Sequence, residues 1–223
     1  MLRDTGLRAR RRALFEQFWM VAGAHFLALL SPGPDFFLIA QAALAQGWRR
    51  ASGICLGVAL ANGLFIALAL GGFSALRPGN AWFNLLQWSG CLYLAWLGSR
   101  LLRSTGAPLP LPQKGLHSPQ ATTGWFTGLR MGLASGLLNP KNALFYASLF
   151  SLLAGTEKEI QVFYGAWMFF AVLGWDLVVA IAMGHPSVVL RFSRHMAAIE
   201  RTTGGVLILL AVGVAAAALP RPG

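Results

Sequence analysis

The most constraining feature of the chain is a long apolar segment, Ala51 to Leu76, that carries no charged residue. A helix needs about 20 apolar residues to cross the hydrocarbon core of a bilayer, so this segment is long enough to span it. The whole chain is similar, since 56% of its 223 residues are hydrophobic and only 11% are charged. Soluble domains carry about 25% charged residues. The composition therefore argues against a soluble enzyme or a disordered chain and predicts an integral membrane protein.

Six segments are long and apolar enough to be transmembrane helices. They lie at residues 18–44, 51–76, 81–102, 124–154, 160–184 and 203–219. The longest connection, residues 103–123, holds four prolines and indicates a solvated linker. We therefore divide the chain into a basic tail (1–17), a first group of three helices (18–102), the linker and a second group of three (124–219). We expect the first helix to be retained rather than cleaved as a signal peptide, because its apolar pattern resumes after Asp35.

The net charge of +11 would suggest nucleic-acid binding in a soluble protein. Here the basic residues lie mostly between apolar segments, where lysine and arginine set the orientation of a membrane protein. We therefore predict no nucleic-acid partner.

Prolines interrupt two of the six segments. Pro32 and Pro34 lie inside the first segment, and Pro140 lies inside the fourth. A proline removes one helical hydrogen bond and frees the carbonyl four residues earlier, which is costly in hydrocarbon unless protein or water satisfies it. Two such breaks predict irregular backbone that lines a cavity.

The two breaks also mark an internal repeat. The sequence Leu29-Leu30-Ser31-Pro32 resembles Leu137-Leu138-Asn139-Pro140, and each lies in the first helix of a three-helix group. Because three is odd, the second group must insert upside down relative to the first. Paired interrupted helices in two inverted halves are typical of a transporter's binding site at the bilayer midplane. The predicted fold is thus an all-α membrane protein, with six transmembrane helices as two inverted three-helix repeats whose first helices are broken.

Polar residues at the breaks are the candidate site for a zwitterionic substrate. We expect Lys141 and the half-helix that starts beside it to bind the substrate carboxylate, and Asp35 to bind its ammonium group. The predicted substrate-binding residues are Ser31, Pro32, Gly33, Pro34, Asp35, Asn139, Pro140 and Lys141. An alternative is that Asp35 and Lys141 form a fixed ion pair that only joins the two halves.

Asp176 is a lone carboxylate within the fifth segment and the leading candidate for proton coupling, with Asp35 as the second. The alternative for Asp176 is a packing residue near an interface. Together with Lys141 and Arg130, the two carboxylates give a net charge of zero, which suits a zwitterion better than a cation.

No other chemistry is indicated. Cys55 and Cys91 lie in apolar segments and are expected to be core residues, and no pair of the four histidines has the spacing of metal ligands. We therefore predict no metal, no cofactor and no enzymatic activity.

The motifs resemble those of the LysE/RhtB amino-acid exporters. The first signature is Ser31-Pro32-Gly33-Pro34-Asp35, followed by Gly47, Arg49, Arg50, Gly53 and Gly57. The second is the segment 128–145 with Asn139-Pro140-Lys141, and the resemblance extends from about Phe18 to Leu219. It implies a multi-pass exporter of amino acids or their derivatives in the bacterial inner membrane, driven by the proton gradient. The chain departs from the family pattern at residues 148–153 and in its arginine-rich N-terminus.

Other functions stay open at this stage: a passive channel, a membrane assembly subunit and, less in keeping with the residues, an intramembrane enzyme or a metal-ion exporter. Within the exporter prediction, the identity of the amino acid, the coupling ion and a homo-oligomeric state are also open.

Overall fold

The computed structural model describes residues 2–30, 32–75, 81–106, 124–153 and 155–218. These residues form eight helices and contain no strand, which confirms the all-α prediction. The helices are α1 (Leu2–Leu30), α2 (Pro34–Gln46), α3 (Trp48–Ala75), α4 (Ala81–Leu102), α5 (Trp125–Leu138), α6 (Pro140–Leu152), α7 (Lys158–Met183) and α8 (Pro186–Ala218).

Four helices of the described chain contain a stretch that is long and apolar enough to cross a membrane. These stretches are Arg12–Leu30, Trp48–Gly72, Lys158–Met183 and Ser187–Gly213. A shorter apolar stretch, Cys91–Leu102, lies in α4. Large apolar side chains on several of these helices are exposed outward, as lipid-facing side chains are expected to be.

Both proline breaks interrupt helices. Helix α1 ends at Leu30 and α2 begins at Pro34, while α5 ends at Leu138 and α6 begins at Pro140. Each new helix starts with its proline in the first turn, where the missing N–H costs nothing. The residues before the prolines, Gly33 and Asn139, are extended, because proline disfavours the helical region for its predecessor. Ser31 lies outside the described residues.

Two helices begin earlier than the sequence analysis expected. Helix α1 extends back through the basic tail to Leu2, and α8 begins at Pro186 rather than near residue 203. The charged half of α8 stays helical because its arginines are exposed, and because its buried carboxylate, Glu200, accepts a hydrogen bond from Ser104. Most of the predicted linker, residues 107–123, lies outside the described residues.

Helices α3 and α5 are joined by a seam of small residues, which we call the glycine seam. On α5, Gly128, Gly132 and Gly136 recur every four residues and are buried against α3. A Cβ atom added at Gly132 would collide with the carbonyl oxygen of Ile54 on α3. Small residues at this spacing let two membrane helices approach closely. The seam fixes the C-terminal end of α5, and with it the second break.

Two apolar clusters fill the interior, and α3 and α7 contribute to both. On α3, Ala59 belongs to one cluster and Ile66 to the other; on α7, Val172 and Met168 divide in the same way. The polar residue Asn62 lies between them, near the middle of α3. Phe169, on α7, packs against both clusters.

The glycine seam predicts a large effect of one methyl group. Replacing Gly132 with alanine forces α3 and α5 apart, which should lower the free energy of unfolding by about 1–3 kcal/mol. The loss of stability is measured by heating the detergent-purified protein and using size-exclusion chromatography to monitor how much of it stays folded. Gly174→Ala is the matched control, because a Cβ atom there meets nothing within 4 Å. Equal stability of the two variants would contradict the role of the seam.

Candidate functional site

Asp35 lies in the first turn of α2, and its carboxylate is bound by the second break. Oδ1 accepts a hydrogen bond from Ser135 Oγ at 2.5 Å. Oδ2 accepts from Asn139 Nδ2 at 2.9 Å and from Asn142 Nδ2 at 3.0 Å. A carboxylate offers about four acceptor positions, so these three donors occupy most of them.

Lys141, at the start of α6, binds the first break in return. Its Nζ donates to the carbonyl oxygen of Ala28 at 3.3 Å, the carbonyl that Pro32 deprives of its helical partner. A Cβ atom at Gly33 would lie 3.5 Å from the same Nζ, so the ammonium group also adjoins the start of α2. The charged residue of each break is thus bound to the other break.

The carbonyl freed by Pro140 is satisfied as well. Gly136 O accepts hydrogen bonds from the Asn139 N–H and from Asn142 Nδ2, both at 3.3 Å. Asn139 also caps α6, since its Oδ1 accepts from the Lys141 N–H at 3.1 Å. Helix α2, by contrast, has Gly33 at its N-cap position and therefore no side-chain cap.

A cavity of about 50 Å³ lies where the breaks meet. Asp35, Lys141 and Asn142 line it from the breaks, Asn62 from α3 and Asp176 from α7. This volume holds only a few water molecules, whereas a small-molecule pocket usually measures 300–1,000 Å³. An amino acid would therefore enter only a wider form of the cavity.

Asp176 is 8% exposed, and its Oδ2 atom has no hydrogen-bond partner in the described structure. The Cys55 thiol contacts the backbone carbonyl of Asp176 rather than the carboxylate, with Sγ 3.4 Å from the carbonyl oxygen. Because buried polar atoms are nearly always satisfied, this oxygen is the expected position for a proton, a water molecule or a ligand.

The structure brings together four of the predicted site residues, Gly33, Asp35, Lys141 and Asp176, around the cavity, with Asn139 bound to Asp35. Pro34 is exposed and does not line the cavity. Arg130 is also exposed and contributes no charge there, so the expected sum of zero is wrong.

Ser135 and His25 were missed as site residues. Ser135 lies before the break and reaches Asp35 only because of the way α2 and α5 pack, which no motif signals. His25 lies three residues before Ala28, hence one turn away on the same face of α1, and that spacing could have indicated it.

Comparison with known proteins identifies this arrangement. The model of the family described as LysE type translocator matches residues 26–217, which include both breaks. The chain belongs to the LysE type translocator family. The resemblance of its motifs is thereby confirmed. The chain is a multi-pass membrane translocator and not an enzyme.

Several relatives of this translocator are named as amino-acid efflux proteins. The threonine efflux protein of Escherichia coli (strain K12) is 32% identical over 176 residues, which cover 76% of this chain and 82% of that protein. The leucine efflux protein of Enterobacter sp. (strain 638) is 32% identical over 135 residues, covering 60% of this chain and 61% of that protein. No solved structure matches the translocator.

The hydrogen bonds of Asp35 predict that its charge stabilises the translocator. Asp35→Asn keeps the shape of the side chain but places an amide NH₂ group against the donors. Asn139 cannot turn its own side-chain oxygen towards that NH₂ group without uncapping α6. Losing one hydrogen bond to a charged group should lower the free energy of unfolding by about 1.5–3 kcal/mol. Denaturant titration in detergent measures this change. The control is Glu159→Gln, because Glu159 is an exposed carboxylate on α7. If both variants lowered the free energy of unfolding by a similar small amount, the prediction would be contradicted.

Proposed function

We propose that the chain is a secondary transporter that exports amino acids, or small derivatives of them, across a bacterial inner membrane in exchange for protons. The observation that carries the proposal is the meeting of two broken helices, each of whose charged residues is bound to the other break. Its relatives named for threonine and leucine efflux support amino acids as the substrate class.

The proposed architecture is two inverted repeats, α1–α4 and α5–α8. In such a repeat α3 corresponds to α7, and α4 corresponds to α8. Both corresponding pairs pack against each other, and α2 contacts α7 much as α6 contacts α3. A pseudo-two-fold axis through the α3–α7 contact would account for these pairings.

The substrate carboxylate is proposed to bind between the Lys141 ammonium and the start of α2. Lys141 lies beside Gly33, where α2 has no side-chain cap. The N–H groups at the start of a helix and a lysine charge together favour an anion. The start of α6 is less suited, because Asn139 already caps it.

The substrate ammonium group is proposed to bind towards Asp176. Asp35 lies in the same cavity, but three donors occupy most of its acceptor positions, whereas Asp176 Oδ2 has none. A proton and an ammonium group would then compete for the Asp176 carboxylate. Because the carboxylate can hold only the proton or the ammonium group at one time, the proton and the substrate would move in opposite directions.

The proposal predicts a specific defect in Asp176→Asn. The asparagine oxygen can still accept from an ammonium group, but it cannot take up a proton at neutral pH. Threonine–threonine exchange should persist in liposomes containing the purified variant, while efflux driven by a pH gradient falls by orders of magnitude. Radiolabelled threonine and leucine, with and without a protonophore, measure both activities.

Glu159→Gln is the control for this experiment and should retain exchange and gradient-driven efflux. Undiminished gradient-driven efflux by Asp176→Asn would remove Asp176 from the coupling mechanism. Wild-type flux that the protonophore leaves unchanged would indicate a passive channel instead.

A second prediction separates substrate binding from a fixed ion pair. Asp35→Asn and Lys141→Met should each reduce transport by orders of magnitude, since the first weakens the hydrogen bonds that hold the breaks together and the second removes the proposed ligand of the substrate carboxylate. The double variant should regain part of its folding stability but none of its transport. Threonine flux and detergent stability are measured on the same preparations. Recovery of both in the double variant would show that the charges serve only to join the repeats.

A further inference from the structure

Three buried side-chain atoms of the described residues lack a hydrogen-bond partner. They are Asp176 Oδ2 and both ring nitrogens of His25. Asp176 and His25 lie on different helices, yet both line the cavity between the breaks. Because unsatisfied buried polar atoms are rare, their convergence on one cavity indicates a polar ligand there.

His25 is surrounded by aromatic rings. It is only 1% exposed. Its ring centroid lies 5.9 Å from that of Phe145, 6.0 Å from Tyr146 and 5.7 Å from Trp167. Among the described residues no charged side chain hydrogen-bonds to the ring, although the backbone of Met168 approaches it. A neutral imidazole in such surroundings offers one donor and one acceptor.

The position of His25 relative to the breaks indicates which part of a substrate it would meet. Ala28, whose carbonyl accepts from Lys141, lies one turn along α1 from His25. On α6, Phe145 and Tyr146 lie one turn beyond Asn142, which binds Asp35. His25 is therefore about 5 Å along α1 from the carbonyl that binds Lys141, the group proposed to bind the substrate carboxylate. It also lines the same cavity as Asp176, the group proposed to bind the substrate ammonium. An amino acid held by those groups can extend its side chain towards His25.

We propose that His25 selects amino acids whose side chain carries a neutral polar group, such as a hydroxyl or an amide. A hydroxyl can either accept from the ring N–H or donate to the other ring nitrogen, so it can satisfy one of the two. An apolar side chain of the same size would displace water and make no hydrogen bond to the ring. This inference deepens the proposed function and rests on it.

The test compares threonine with valine, which has the same shape but a methyl group in place of the hydroxyl. Purified wild-type protein in liposomes should export threonine with a kcat/KM about 10- to 100-fold above that for valine. His25→Phe should reduce this ratio to near one, mainly by lowering threonine transport. His25→Gln, which keeps a donor and an acceptor, should retain part of the preference. His195→Phe is the control, because His195 is an exposed histidine on α8, and its ratio should match that of the wild type.

Several results would overturn the role of His25. One is wild-type export of amino acids with no preference for threonine over valine. Another is an equal loss of threonine and valine transport in a folded His25→Phe variant, which would indicate a general structural role. If His25→Phe does not fold, the ratios of wild type and His25→Gln decide. Absence of any amino-acid export by the wild type would instead overturn the proposed function, and the inference with it.

Discussion

The structure depends on how two proline breaks in an apolar bundle satisfy the carbonyls that they free. An unpaired carbonyl is expensive in hydrocarbon, so each break requires a donor. Ala28 O receives one from Lys141, and Gly136 O receives one from Asn142. The donor for the first break therefore comes from the second, while Asp35 of the first break receives its donors from α5, the second break and α6. Lys141, which is proposed to bind the substrate carboxylate, is thus also one of the residues that make the breaks tolerable.

This exchange of partners requires the breaks to be held at a fixed distance. The glycine seam provides that constraint, because Gly132 and its neighbours bring the backbones of α3 and α5 into contact just before the second break. A shift of less than 1 Å takes a side-chain hydrogen bond beyond its normal length. Close backbone contact is therefore suited to holding the two breaks in position.

The features that the sequence predicted are those in which local chemistry decides the structure. The breaks follow from the fixed geometry of proline, and the helix-rich fold follows from long apolar runs. The start of α8 was wrong because only the apolar residues 203–219 were taken as the segment, whereas exposed arginines are compatible with a helix that begins earlier. Ser135 and His25 could not be assigned from composition, since their roles depend on the rotation and register of packed helices. The six-span inverted repeat and the roles of the site residues stay predictions.

The bonding of the breaks also constrains how a transport cycle could proceed. In the proposed mechanism the cavity must widen beyond about 50 Å³ to admit an amino acid, which moves groups on one repeat away from groups on the other. Moving Asp35 from its donors, or Lys141 from the Ala28 carbonyl, leaves charges unsatisfied in an apolar interior. A zwitterion offers an ammonium group to one carboxylate and a carboxylate to Lys141, so the substrate itself can offset this cost. Opening without substrate is then disfavoured, which is the condition that a coupled transporter needs to prevent leakage.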